Sequence, residues 1–224
     1  MCASVNAAPD IEAMFAAGVV AFETRDEIAA DVLLPEERAC LARAVPKRMA
    51  EFAAGRLCAR AALAQLGFGG VAVPMGADRA PRWPPGTTGS ITHTDGFCAA
   101  VVTRVAKMRA VGLDVEPVAS VKPHLWRRIC TPVEIDMLQG LDAGSAIEAA
   151  TLIFSAKEAF YKCQYTLSSE WLGFADISIS ISVESGGFTV HPCRPLAVAA
   201  RAPGPWHGRY RRESQLVLTG VCIV

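Results

Sequence analysis

The sequence predicts an α+β fold built as two α+β halves. Helical and strand stretches follow one another in the order helix, strands, helix, strands. Of the 224 residues 52% are hydrophobic, enough for a substantial interior. The C-terminal part alternates apolar and polar residues at period two, beginning with "ADISISISV". The halves are expected at residues 1–118 and 119–224, joined just after an acidic strand.

The first helical region is "LPEERACLARAVPKRMAEFAAGRLCARAALAQLG". Pro35 followed by Glu36 and Glu37 suits a helix start, where carboxylates complement the dipole. Pro46 should break the pattern and open a second helix that runs to a C-cap at Gly67. "VPMGADRAPRWPPGTTGS" is rich in Gly and Pro and reads as a loop. Strands follow in "SITHT", "FCAAVVTRV" and "RAVGLDVEP", the first two forming a hairpin about Asp95 and Gly96. Residues 122–139 are helical with an interruption at Thr131-Pro132, where Pro132 takes the first position of a new helix. A longer helix is expected over 145–165. The remaining runs, "ADISISISV", "GFTVHP", "LAVAAR", "HGRYRRE" and "QLVLTGVCIV", read as strands. No internal repeat or low-complexity segment is found.

Composition narrows the partners. With 22 basic and 22 acidic residues there is no general nucleic-acid footprint, although local basic clusters can still meet phosphates. The eight cysteines are scattered without a CxxC pair and are expected to be reduced, buried, small hydrophobes. No apolar run reaches the ~18 residues of a membrane span, and the N-terminus lacks the basic n-region of a signal peptide. The expectation is a soluble cytoplasmic protein with no nucleic-acid or membrane partner.

Four groups of residues carry chemistry. In "VGLDVEP" a strand would put Asp114 and Glu116 on one face, with Leu113 and Val115 on the other. The pair is either two solvated acids on an edge strand or part of a Mg²⁺ site, which takes one or two carboxylates and shares its shell with water and phosphates. In "AKEAFYK" the i, i+4 pair Glu158 and Lys162 is either a surface ion pair worth about 0.3–0.5 kcal/mol or, with Lys157, the lining of a cleft. The apolar flanks Ile153, Phe154, Ala159 and Phe160 favour the cleft. Lys47, Arg48, Arg56 and Arg60 on the second helix make either a solvated surface partnered by Glu51 or a phosphate clamp, and Arg79 and Arg82 add charge in the loop. In "GSITHTDG", His93 is a structural hydrogen-bonder or a phosphate donor. There is no GxSxG elbow and no GxxxxGK[ST] loop, so Ser-His-Asp and P-loop chemistry are set aside.

Together and in this order, "GADRAPRWP", "GSITHTDG", "VGLDVEP", "FSAKEAFYKC" and "WLGF" resemble the broad-range 4′-phosphopantetheinyl transferases that activate carrier proteins of peptide, polyketide and siderophore biosynthesis. The resemblance covers residues 48–174. It implies two similar α/β halves in a pseudo-twofold arrangement, with coenzyme A in the cleft between them. It implies a Mg²⁺-dependent transfer (Mn²⁺ being the alternative ion) of phosphopantetheine from coenzyme A to a serine of an apo acyl or peptidyl carrier protein, by a monomer, with release of 3′,5′-ADP. Asp114, Glu116 and Glu158 would hold the metal, and Glu158 would act as the base. Lys157 and Lys162 would hold the pyrophosphate as catalytic groups. Arg48, Arg56 and His93, with Thr92 beside it, would bind the 3′-phosphate and adenine end, with Arg79 a further contact. The carrier would dock on residues 125–138. Two departures are visible: Phe154 stands where many relatives have Trp, and Val115 leaves no fourth carboxylate between the strand acids. A coenzyme A-binding scaffold without turnover and a Mg²⁺-dependent hydrolase of coenzyme A-like substrates are the alternatives.

Overall fold

Strand pairing divides the chain ahead of the acidic run. The computed structural model describes residues 4–41 and 44–224, in one unit ending at Val111 and a second spanning Gly112–Ile223. The expected boundary at 118 is corrected by seven residues. Strand β5 (Ala110–Pro117) lies beside a strand of the second sheet, and Gly112 packs on a helix of that unit, so Asp114 and Glu116 belong to the C-terminal unit.

The first unit is a four-stranded antiparallel sheet in the order β1 (Asn6–Ala7), β2 (Val19–Thr24), β4 (Phe97–Arg104), β3 (Thr87–Thr94). The β3–β4 hairpin turns at Asp95 and Gly96, where Gly96 takes the positive φ of 70° that the turn demands. Two short helices, α1 (Pro9–Glu12) and α2 (Pro35–Arg38), precede the long helix α3 (Pro46–Gln65). Pro46 opens α3 as expected, and Gly67 follows its end at φ 90°. Its small residues let it approach the sheet closely: Cys58, Ala59, Ala62 and Leu63 interlock with Val20, Ala100 and Val102. A second cluster joins Phe52, Ala53 and Ala54 to Ile28, Leu33 and Cys98.

The second unit carries a five-stranded sheet in the order β5, β9 (Leu216–Ile223), β8 (Trp206–Glu213), β7 (Gly187–Pro192), β6 (Ile177–Ser182). The pairs from β6 to β9 are antiparallel. The interruption at Thr131-Pro132 separates α4 (Pro123–Ile129) from α5 (Pro132–Gln139). Thr131 and Glu134 form a capping box on α5. Helix α6 (Ala143–Ser168) starts at Asp142, whose Oδ1 accepts from Gly144 N and Ser145 N at 3.0 and 3.1 Å. It lies on the sheet, with Ser155 Oγ 2.8 Å from Thr219 Oγ1 and the Phe160 ring 4.8 Å from that of Trp206.

One expected strand is absent. In "LAVAAR", Ala197–Ala200 form a 3₁₀ turn closed by Ala199 N on Leu196 O and Arg201 N on Val198 O. Local carbonyls satisfy this backbone, while the apolar Leu196 and Val198 are buried. The cysteine expectation holds in part. The seven described cysteines are unbridged, but Cys193 is exposed and Cys40 and Cys222 are only half-buried; Cys2 lies outside the described residues. Among the described residues no helix is long and apolar enough to cross a membrane.

Candidate active site

In the second unit the structure gathers Asp114, Glu116, Glu158 and Lys162. Strand alternation turns Leu113 and Val115 into the interior, 0% and 1% exposed, and sets Asp114 and Glu116 on the other face. The reading of two solvated acids on an edge fails for Asp114, which is only 5% exposed although β5 is an edge strand. Lys162 reaches across from α6, donating to Asp114 Oδ1 at 2.7 Å and Leu113 O at 3.1 Å. It is thus more than a partner for Glu158 on its own helix.

The acids repel one another. Burial first, and then the Asp114 and Glu158 charges, push Glu116 up to about 7, against the pull of Lys162. Burial also raises Glu158, with Asp114 adding and Lys162 opposing. Three oxygen donors under mutual repulsion suit a hard divalent cation, which would relieve that repulsion. Among the described residues no three His, Cys, Asp or Glu side chains converge into a metal cage.

Lys157 lines the same cavity as Glu158, but its ammonium is engaged within the fold. It is 2% exposed, and its Nζ donates to Glu134 Oε2 at 2.7 Å, Phe174 O at 2.8 Å and Ile129 O at 2.9 Å. An ammonium has three donors, and all three are spent. Where the sequence suggests a grip on a pyrophosphate, the ammonium here ties α6 to α5, to the end of α4 and to the turn before β6. Its partner Glu134, also 2% exposed, accepts in addition from Thr131 N, Thr131 Oγ1 and Ile179 N. Sequence reasoning passed over Glu134, although the capping signature in "TPVEI" marked it.

Beside Glu158 opens a cavity of about 300 Å³ walled by Tyr161, Trp171, Leu172, Phe174 and Ile177. Trp171 is 76% exposed, and its ring meets that of Tyr161 edge-on at 5.4 Å. Phe154 keeps an aromatic contact, 5.5 Å from Phe174.

In the first unit, α3 and β3 bring Arg48 to His93, with Nη1 3.0 Å from Nε2. Glu51 joins them, its Oε2 3.4 Å from Arg48 Nη1 and 4.0 Å from His93 Nε2. Thr92 is 3% exposed while its neighbour His93 is exposed. Adjacent strand residues point to opposite faces, so the expectation of two side chains working side by side is corrected. Arg56 is buried, its Nε on Val73 O at 2.6 Å and its guanidinium 3.7 Å above the Phe52 ring. Desolvation lowers its pKa to about 10. Neither Nη has a protein acceptor among the described residues. Arg60 is a framework residue: it pairs with the fully buried Glu37 and donates to Val32 O at 2.8 Å. Arg79 is exposed at the tip of the 75–82 turn with φ 67°. Arg82 pairs with Asp78 at 3.2 Å, and Lys47 with Asp95 at 2.7 Å.

A family model for the 4′-phosphopantetheinyl transferase N-terminal domain matches residues 36–103, and one for the 4′-phosphopantetheinyl transferase superfamily matches residues 110–210. The chain is 36% identical over 205 residues to 4′-phosphopantetheinyl transferase Svp of Streptomyces mobaraensis, spanning 91% of this chain and 83% of that protein. Against 4′-phosphopantetheinyl transferase PptT of Mycobacterium tuberculosis the identity is 38% over 196 residues, 85% and 86% of the two chains. Enterobactin synthase component D of Escherichia coli is 36% identical over 163 residues, 71% and 75%. The chain belongs to the 4′-phosphopantetheinyl transferase superfamily and is a transferase that moves phosphopantetheine from coenzyme A onto carrier proteins.

Proposed function

We propose that Asp114, Glu116, Glu158 and Lys162 carry the transfer. The observation behind this is the electrostatic coupling of three carboxylates around one lysine. Asp114, Glu116 and Glu158 would hold Mg²⁺, or Mn²⁺ in its place. When bound, the ion supplies positive charge against the pyrophosphate of coenzyme A.

Lys162, held at the acidic strand by Asp114 and Leu113, adds its own charge there. Glu158 takes the proton of the acceptor serine, a role suited to a carboxylate that burial raises above its ordinary value. The serine oxygen forms its bond to the β-phosphorus as the bond to 3′,5′-ADP breaks. Lys162 meets the charge that develops on the leaving group.

The phosphopantetheine arm lies in the cavity beside Glu158, whose walls are mostly apolar. Arg48, Arg56 and His93 take the 3′-phosphate. Arg56 suits the task because its Nη groups donate to no protein acceptor among the described residues, the nearby Glu37 being held by Arg60. Thr92 contributes backbone polar groups rather than its hydroxyl, and Arg79 is a further contact from the turn.

The carrier docks on α4 and α5. Val133 is 74% exposed, Met137 39% and Leu141 42%, which makes an apolar stripe beside the exposed Arg127 and Arg128. An apo acyl or peptidyl carrier with an acidic, apolar-studded face fits this surface. The enzyme works as a monomer in the cytoplasm.

The test is the mass of an apo carrier incubated with the enzyme, coenzyme A and Mg²⁺. A gain of one phosphopantetheine is expected. Glu158→Gln should slow it by about 10²–10⁴-fold, and Asp114→Ala should remove the response to Mg²⁺. Near-normal rates for Asp114→Ala at every Mg²⁺ concentration would overturn the metal assignment.

A further inference from the structure

The segment between α6 and β6, residues 169–176, forms one wall of the cavity beside Glu158 through Trp171, Leu172 and Phe174. It has little regular structure, yet both of its ends are tied. Arg194, from the segment after β7, donates through Nη1 to Glu170 Oε1 at 2.8 Å. Its Nε lies 2.9 Å from Asp176 Oδ1, and its Nη2 donates to Asp176 Oδ2 at 3.0 Å.

The two carboxylates also cap the backbone: Glu170 Oε2 accepts from Ala197 N, and Asp176 Oδ2 from Gly173 N, each at 2.8 Å. The guanidinium thus spans the first and last acids of the wall, with a two-pronged grip on one of them. Lone surface pairs contribute little, whereas a bidentate Arg in a network with backbone donors holds geometry. Hydrogen bonds to Arg194 hold both Glu170 and Asp176 below the usual carboxylate range.

We infer that Arg194 is a positioning residue that fixes the Trp171–Phe174 wall and thereby sets affinity for the phosphopantetheine arm of coenzyme A. This rests on the reading that the arm occupies the cavity. Arg194 touches no group assigned to the chemistry. Ordering the wall before binding lowers the entropy that the ligand would otherwise have to offset.

The experiment measures kcat and KM for coenzyme A with an apo carrier, and the inhibition constant of 3′,5′-ADP, which lacks the arm. For Arg194→Ala we expect KM to rise on the order of tenfold, with kcat within about twofold and 3′,5′-ADP inhibition unchanged. Asp176→Asn should move the same constant in the same direction, and the double variant should add little to either. Arg194→Lys keeps the charge but not the fork, and should restore KM only in part.

If 3′,5′-ADP inhibition weakens and the melting temperature falls as KM rises, or if KM does not move, the positioning role is wrong. Leu172→Trp, which fills the cavity, separates the two layers of the argument. If it leaves KM for coenzyme A unchanged, the arm is not in the cavity and the inference falls with that reading. If it raises KM while Arg194→Ala does not, the cavity reading stands and the clamp alone is refuted.

Discussion

Replacing Lys157 with Met decides between the phosphate-binding role that the sequence suggests and the internal tie found in the structure. Lys157 and Glu134 are each 2% exposed and 2.7 Å apart. Removing one partner of such a buried pair costs about 3–5 kcal/mol, because the remaining charge stays out of water. The three other donors on Glu134 soften this, so the lower end, about 3 kcal/mol, is expected for Lys157→Met. Lys157 also releases the carbonyls of Ile129 and Phe174, each adding about 1 kcal/mol if left unsatisfied. For a chain of this length the total corresponds to a fall in Tm of about 10 °C. Pairing it with Glu134→Gln should recover part of the loss, since the unpaired buried charge is removed and the one amide oxygen still accepts from either Ile179 N or Thr131 N. Urea unfolding followed by tryptophan fluorescence reads the stability, and carrier mass gain reads the rate. A variant within about 1 kcal/mol of the parent whose KM for coenzyme A rises steeply would refute the tie and return Lys157 to the pyrophosphate.

Two further outcomes follow from the acidic strand. Glu116 is raised to about 7, so between roughly pH 4.5 and 7 the folded state binds more protons than the unfolded one, and stability falls as pH rises through that window. At face value the shift is worth about 3 kcal/mol; solvent screening of this half-buried group reduces it to about 1–2 kcal/mol. The Tm increase on adding Mg²⁺ should therefore be larger at about pH 8 than at about pH 5, and Glu116→Gln should flatten the difference; a Mg²⁺ shift independent of pH would count against the site. Gly112→Ala should cost more than about 3 kcal/mol, because a Cβ there would meet Ala159 O at 1.9 Å and Cys163 N at 2.8 Å, backbone atoms that cannot move aside. A variant that melted like the parent would mean that β5 and α6 do not pack so closely.

What the sequence made legible was mostly local. Prolines at 35, 46 and 132, the turn at Gly96 and the Gly67 stop put helix starts and turns where they lie, because these residues act through their own backbone preferences. The strand acids and the α6 acid were found together because period-two spacing and the motif order placed them so. The internal tie of Lys157 was not legible because two of its acceptors are the carbonyls of Ile129 and Phe174, which no side-chain pattern advertises. Thr92 was grouped with His93 by adjacency, where strand geometry separates the two. The run "VVAFET" of β2 went unread: it lacks clean alternation, and its place in the sheet comes from pairing with β4, about eighty positions on.

The alternation of α5 between outward apolar residues and one inward acid bears on re-targeting the enzyme to a foreign carrier. Val133, Met137 and Leu141 are exposed, so exchanging them leaves the buried core in place. Residue 134 is closed to such redesign: a glutamine there would preserve the start of the helix yet leave the buried Lys157 ammonium of α6 without its counter-charge. Libraries that randomise this surface should therefore recover Glu134 in every active clone, whatever partner they select for.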